Sequence, residues 1–171
     1  KPGCFVWVAI RDPAEAEMLQ MQEEFALHDL AVEDALKGHQ RPKVEEYGAT
    51  VFAVLQVPML RDGDLEVGEL DLFVGPNYVL SVRHRFHPGF QAVRERAESE
   101  PELLRAGAGF VFYALMDNVV DRYFPVIDRL SEEIEEVEER IFAGQTTRAQ
   151  IEALPDHPDE MEKPLEEMAG P

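Results

Sequence analysis

Apolar positions along the chain change period several times, and each change marks an element. Phe5–Ile10 (FVWVAI) is aromatic, β-branched and almost uninterrupted, which predicts a short buried strand. Asp12-Pro13 has the form of an N-cap followed by a first helical residue, opening a helix to about Phe25. A second helix is predicted from Asp29 to Leu36, with Gly38 as its stop and Asp29 and Glu33 suited to its N-terminal dipole. Gln40-Arg41-Pro42-Lys43 reads as a polar turn. Three strand-like runs follow, Thr50–Val57, Glu69–Val74 and Tyr78–Arg83, separated by Asp62-Gly63 and Gly75-Pro76-Asn77 turns. The middle of the chain is thus an antiparallel meander.

Helical spacing returns after Pro88, over Gly89–Ser99 and then, past a short segment opened by Pro101, from about Gly107 to Phe142. In that long region Phe112, Met116, Val119, Tyr123, Ile127, Leu130, Ile134, Val137 and Ile141 form a heptad-like stripe suited to a partner helix. Pro125 should kink or divide the region near Phe124. Ser131–Arg140 (SEEIEEVEER) is acidic everywhere except on the stripe, and the prolines from Pro155 onward predict loop. The expected fold is an αβα sandwich with a mixed, largely antiparallel sheet and an extended acidic helical arm. It divides into an α/β domain over 1–106, the arm over 107–154 packing on it, and a tail over 155–171.

Charge changes the picture more than length does. The 171 residues include 16 Lys plus Arg and 35 Asp plus Glu, a net charge of −19. Such a chain repels phosphates, so nucleic acid is not an expected partner, whereas cations are. One cysteine, Cys4, excludes an internal disulfide and a thiolate zinc cluster. No apolar run reaches the roughly 18 residues of a membrane span, so the chain is expected to be soluble. Phosphate-binding glycine loops and nucleophile-elbow motifs are absent from the sequence, and the chain is not expected to be an enzyme. His84 and His87, at a strand end, read as ordinary loop histidines, and His28 and His39 as structural or capping residues. Among the many carboxylates three stand out by context. Glu33 and Asp34 are adjacent on a short helix, so one must lie at the edge of its apolar face. Asp117 interrupts the most apolar part of the long helix, where a carboxylate must be exposed, paired or metal-bound.

The run His28-Asp29-Leu30-Ala31-Val32-Glu33-Asp34-Ala35-Leu36 followed by His39-Gln40-Arg41-Pro42-Lys43-Val44-Glu45 resembles the cytoplasmic domain of CorA-type magnesium channels. Val93-Arg94-Glu95-Arg96, Tyr113–Asp117 and Val119-Val120-Asp121 with Tyr123 resemble the family in the same order, so the likeness spans about Phe5 to Phe142. The family commonly has His-Pro where this chain has His28-Asp29, and a helix starts as readily with Asp. The stalk helix, membrane helices and Gly-Met-Asn pore motif are not among these residues.

The resemblance implies a ring of five subunits at the cytoplasmic face of the cell membrane, attached to the membrane only through C-terminal helices outside this sequence. It further implies regulatory Mg²⁺ between neighbouring domains, holding the channel closed, with Co²⁺ and Zn²⁺ as other ions of the superfamily. Glu33, Asp34 and Asp117 align with the family's sensing carboxylates, and Gln40, Arg41, Pro42 and Lys43 form a structural motif. Two alternatives stand beside this. One is the cytoplasmic domain of a related zinc transporter, and the other an oligomerisation scaffold without a metal role.

Overall fold

The structure is a computed structural model and describes residues 4–85 and 88–142. β1 (Val6–Arg11) leads to α1 (Glu15–Phe25) and α2 (Asp29–Lys37). Then come β2 (Lys43–Tyr47), β3 (Thr50–Arg61), β4 (Asp64–Val74) and β5 (Tyr78–His84). The helices α3 (Gln91–Ser99), α4 (Pro101–Leu104), α5 (Ala108–Asp121) and α6 (Tyr123–Phe142) complete the order. The strands make one five-stranded sheet in the order β1-β5-β4-β3-β2. β1 runs parallel to β5, and every other pair is antiparallel.

Both faces of this sheet are covered, as the αβα expectation requires. On one face Phe52, Val54, Phe73, Leu80 and Val82 pack with Met18 of α1 and Ala31, Val32 and Ala35 of α2. On the other, Ala53, Val57, Leu70, Leu72 and Val79 pack with Val93 of α3 and Val111, Leu115 and Val119 of α5. The alternation of side chains along a strand assigns odd and even positions to the two cores. Residues up to Asp128 form one compact unit, and α5 joins its core although it lies beyond residue 106. A second unit starts at Arg129. Within it α6 carries Leu130, Ile134, Val137 and Ile141 exposed, with Arg129 paired to Glu132 and Glu133 and Arg140 to Glu136. The tail expected as loop lies outside the described residues.

Local rules fail where a long-range contact competes. Asp12 does not cap α1. Its φ is +43°, its backbone N–H donates to the Arg83 carbonyl, and its carboxylate accepts the Arg85 N–H at 3.1 Å. The helix therefore starts at Glu15, with the Glu17 carboxylate accepting the Ala14 N–H at 2.9 Å. Lys43–Tyr47, read as turn and loop from its polar residues, is an edge strand, β2, with Val44 and Glu46 exposed and Lys43, Glu45 and Tyr47 half-buried on its other face. β1 is also an edge strand and is only half-buried. β3 and β4 run on to the Asp62-Gly63 turn, where both residues have the positive φ that such a hairpin needs. The long helix divides at Arg122, which places Pro125 in the first turn of α6, where no N–H partner is lost.

Gly75 closes the β4–β5 turn, its N–H donating to the Tyr78 carbonyl at 3.0 Å. A Cβ there would lie 2.1 Å from the Tyr78 ring, which is stacked on Phe25 and hydrogen-bonded to Thr50. With both ends of that ring held, Gly75→Ala should lose about 1–3 kcal/mol to overpacking. Gly109→Ala, on α5 with open space around it, should lose nothing. Urea unfolding followed by circular dichroism separates the two, and equal midpoints would refute the steric argument.

Candidate metal centre

Sheet register assembles a polar cluster that no stretch of sequence contains. Glu69 of β4 stands opposite Gln56 of β3 and opposite His84 of β5. Asp71, two residues on, shares Glu69's face, which is the α2 face. Glu69 and Asp71 are both 0% exposed, and the His84 side chain is 15% exposed. The ligand atoms of the three residues all lie within 4.8 Å of one another. The end of α2 and the turn after it form the roof. Gly38, at φ +61°, would place a Cβ 3.7 Å from Glu69 Oε1 and 3.9 Å from the His84 ring. Glu69 Oε2 accepts the Gln40 backbone N–H at 2.8 Å and the Gln56 amide at 3.3 Å, while the Gln40 carbonyl accepts from Gln56 at 2.8 Å.

His84 Nε2 lies 3.4 Å from Asp71 Oδ2, an ion-pair contact without hydrogen-bond geometry. Burial, with Glu69 and Asp34 adding to it against the pull of His84, pushes the Asp71 carboxyl up to about 6. The Asp71 carboxylate, working against partial burial and helped by Glu69 and the Ala35 carbonyl, raises the His84 imidazole above its ordinary value. Glu69 Oε1, both Asp71 oxygens and His84 Nε2 are buried without hydrogen-bond partners.

The three carboxylates singled out from sequence sit elsewhere. Glu33 is exposed on α2 and paired with Lys37 one turn on. Asp34, half-buried at the edge of the same helix, accepts from Lys43 Nζ at 2.7 Å. Asp117 is on α5, against the opposite face of the sheet, with its side chain 39% exposed and Arg96 3.8 Å away. The fold thus keeps Asp117 apart from the α2 pair. In the 40–43 motif Gln40 holds Glu69 through its backbone, and Arg41 and Pro42 are exposed. Lys43 bridges Asp34 and Glu45, which outweigh its partial burial and raise its pKa. Hydrogen bonds from Lys43, then Tyr47, hold Glu45 below its usual range. His28 caps α2, Nδ1 accepting the Leu30 N–H, and stacks on Tyr47; His39 is exposed at φ +59°, and His87 lies outside the described residues.

Sequence reasoning passed over Glu69 and Asp71 and mistook His84 for a loop residue. A signal was available in Glu69-Leu70-Asp71-Leu72-Phe73. In a strand flanked by helices before and after, both alternating phases must be covered, so carboxylates in either phase must be buried.

Both raised pKa values have the same sign for stability. Asp71 favours the fold when protonated, a contribution complete below its unfolded value near 3.8 and lost as pH rises through about 6. His84, also raised, loses its contribution as pH rises through its folded value. With divalent ions chelated, wild-type stability should fall from about pH 4 to about pH 7, by up to about 3 kcal/mol from Asp71, with His84 extending the fall upward. Asp71→Asn should flatten that slope and leave the protein no less stable at the upper end. A variant with the wild-type slope would show that the cluster does not titrate there.

Comparison with known proteins agrees with the architecture. The family model for "CorA-like Mg2+ transporter protein" matches residues 3–156. The chain is 35% identical over 133 residues to the Bacillus subtilis protein named "Putative metal ion transporter YfjQ", covering 78% of this chain and 41% of that one. It is 32% identical over 139 residues to the Thermotoga maritima "Cobalt/magnesium transport protein CorA", covering 79% and 40%. The chain therefore spans about two-fifths of these relatives' length. Among solved structures, the soluble domain of CorA from Methanocaldococcus jannaschii superposes with a TM-score of 0.60 at 19% identity, covering 81% of this chain and 56% of that one. Full-length CmaX gives 0.64 at 22%, covering 84% and 44%. With a family model covering nearly the whole chain and two relatives above 30% identity, this chain belongs to the CorA-like Mg²⁺ transporter family.

Proposed function

We propose that this chain is the cytoplasmic, divalent-cation-sensing domain of a CorA-like Mg²⁺/Co²⁺ channel subunit. In the assembled protein, carboxylates of neighbouring subunits bind Mg²⁺ and hold the channel closed. One observation carries the reading. Glu33 and Asp34 lie on the α2 side of the sheet, and Asp117 lies on the α5 side. One chain cannot bring them to one ion, but two neighbours in a ring can, each offering an opposite face. Among the described residues no helix is long and apolar enough to cross a membrane. Conduction is therefore assigned to other parts of the subunit.

The donor chemistry fits Mg²⁺. Glu33 and Asp117 are accessible, and an all-oxygen set of carboxylates suits an ion that keeps several of its waters. Each carboxylate has an internal cation beside it, Lys37, Lys43 or Arg96. These pairs are exposed or only half-buried, so each costs little to loosen. A ring of chains each carrying −19 repels itself. Mg²⁺ between subunits offsets that repulsion, so its occupancy biases a closed against a loosened ring.

Millimolar Mg²⁺ should raise the melting temperature of the 171-residue chain and shift its sedimentation toward larger species, against Na⁺ at matched ionic strength. Asp117→Asn should change stability without Mg²⁺ by less than about 1 kcal/mol, because its carboxylate is partly exposed and its pair is long. It should nonetheless weaken both Mg²⁺ responses, as should Asp34→Asn. In the full-length channel the same changes should blunt Mg²⁺-dependent closure while conduction persists. An oligomerisation scaffold would assemble equally with and without divalent ions, and that result would overturn the sensing role.

A further inference from the structure

The Glu69–Asp71–His84 cluster has no part in the sensing role, and an ion pair does not account for it. Two carboxylates with no exposure stand beside one imidazole. Among the described residues no lysine or arginine lies within 4.0 Å of either. Even with the imidazole protonated, the cluster retains one uncompensated negative charge in the interior, which is costly. Four buried atoms on these three residues lack hydrogen-bond partners.

We propose that Glu69, Asp71 and His84 form a buried binding site for a divalent transition-metal ion of the Zn²⁺ and Co²⁺ type, separate from the Mg²⁺-sensing carboxylates. A doubly charged ion with two carboxylates and a neutral imidazole leaves no net charge. The 3.4 Å between His84 Nε2 and Asp71 Oδ2 already matches the edge of a tetrahedron with bonds of about 2.1 Å. The other separations of the set are at most 4.8 Å and close to that edge by at most about 1.4 Å, a movement that rotation about side-chain bonds can supply. The outer partners favour the same arrangement. Gln40 and Gln56 occupy Glu69 Oε2 and leave Oε1 for the ion. His84 Nε2, buried without a hydrogen-bond partner and facing Asp71 Oδ2, is the ring nitrogen placed to ligate. A nitrogen donor in a dry site suits borderline ions and disfavours Mg²⁺, which requires oxygen ligands and retained water. A bound ion would tie the α2 end and the Gly38–Gln40 turn to β4 and β5.

The test uses the whole chain, stripped of metal and kept in excess Mg²⁺ so that weak acidic sites are filled. Co²⁺ should bind as one equivalent with the visible absorption of a low-coordinate complex, and Zn²⁺ should displace it. Asp71→Asn and His84→Gln should each weaken Co²⁺ binding by at least about tenfold. Glu33→Gln, Asp117→Asn and His39→Gln should leave it unchanged. Absence of that equivalent, or its retention in folded Asp71→Asn, would overturn the site and leave the cluster as a proton-holding group. Should His84→Gln fail to fold, the imidazole ¹⁵N resonances of the wild type decide the matter. Zn²⁺ must shift the Nε2 signal of His84, and an unmoved signal would equally refute the proposal.

Discussion

β4 has helices over both of its faces, and most of what is unusual in this molecule follows from that. A strand covered on one side can send every second residue to water. β4 cannot, so the alternation in Glu69-Leu70-Asp71-Leu72-Phe73 divides the residues between two interiors. Leu70 and Leu72 enter the core beneath α5 at no cost. Glu69 and Asp71 are carried under α2, where the only compensation available is what neighbouring strands and the α2 turn provide. Gln56, His84 and the backbone of Gln40 are that compensation, and they leave part of the charge unanswered.

The two faces differ in chemistry accordingly. Beneath α5 the core is apolar, and its one buried polar side chain on β5, Ser81, accepts the Trp7 indole N–H and donates to the Val8 carbonyl. Beneath α2 the same sheet carries carboxylates, an imidazole and, at the rim, the Lys43 bridge between Asp34 and Glu45. Charge removed from Asp34 would thus also be felt by Lys43 and, more weakly, by Asp71, which Asp34 pushes upward. The α2 helix therefore touches two electrostatic systems, weakly coupled through Asp34. One is the exposed set proposed for Mg²⁺, and the other is the closed cluster beneath its C-terminal end.

The local settings of Glu33, Asp34 and Asp117 were legible in the sequence, and the Glu69–Asp71–His84 grouping was not. That one of Glu33 and Asp34 would lie at the edge of an apolar helix face follows from their adjacency, and it is Asp34 that the structure places there. That Asp117 would be exposed or paired follows from the cost of burying a lone carboxylate, and it is partly both. Nothing local indicates that His84 belongs with Glu69, fifteen positions earlier in the chain, because their adjacency comes from the β4–β5 register. Asp12 shows the same limit from the other side. Its local chemistry is that of a cap, and a contact with Arg85 used it otherwise.

What the sequence determined by itself is what short-range physics controls. Turn glycines, the stop at Gly38, the division of the long helix by Pro125, the apolar stripe of the acidic arm and the family motifs all act within a few residues of where they are written. Tertiary structure decided which strands became edges, which phase of β4 met which core, and which carboxylates lost water. A period of two states that alternate residues share a face, but whether that face meets solvent depends on helices up to fifty positions away, α5 on one side and α2 on the other.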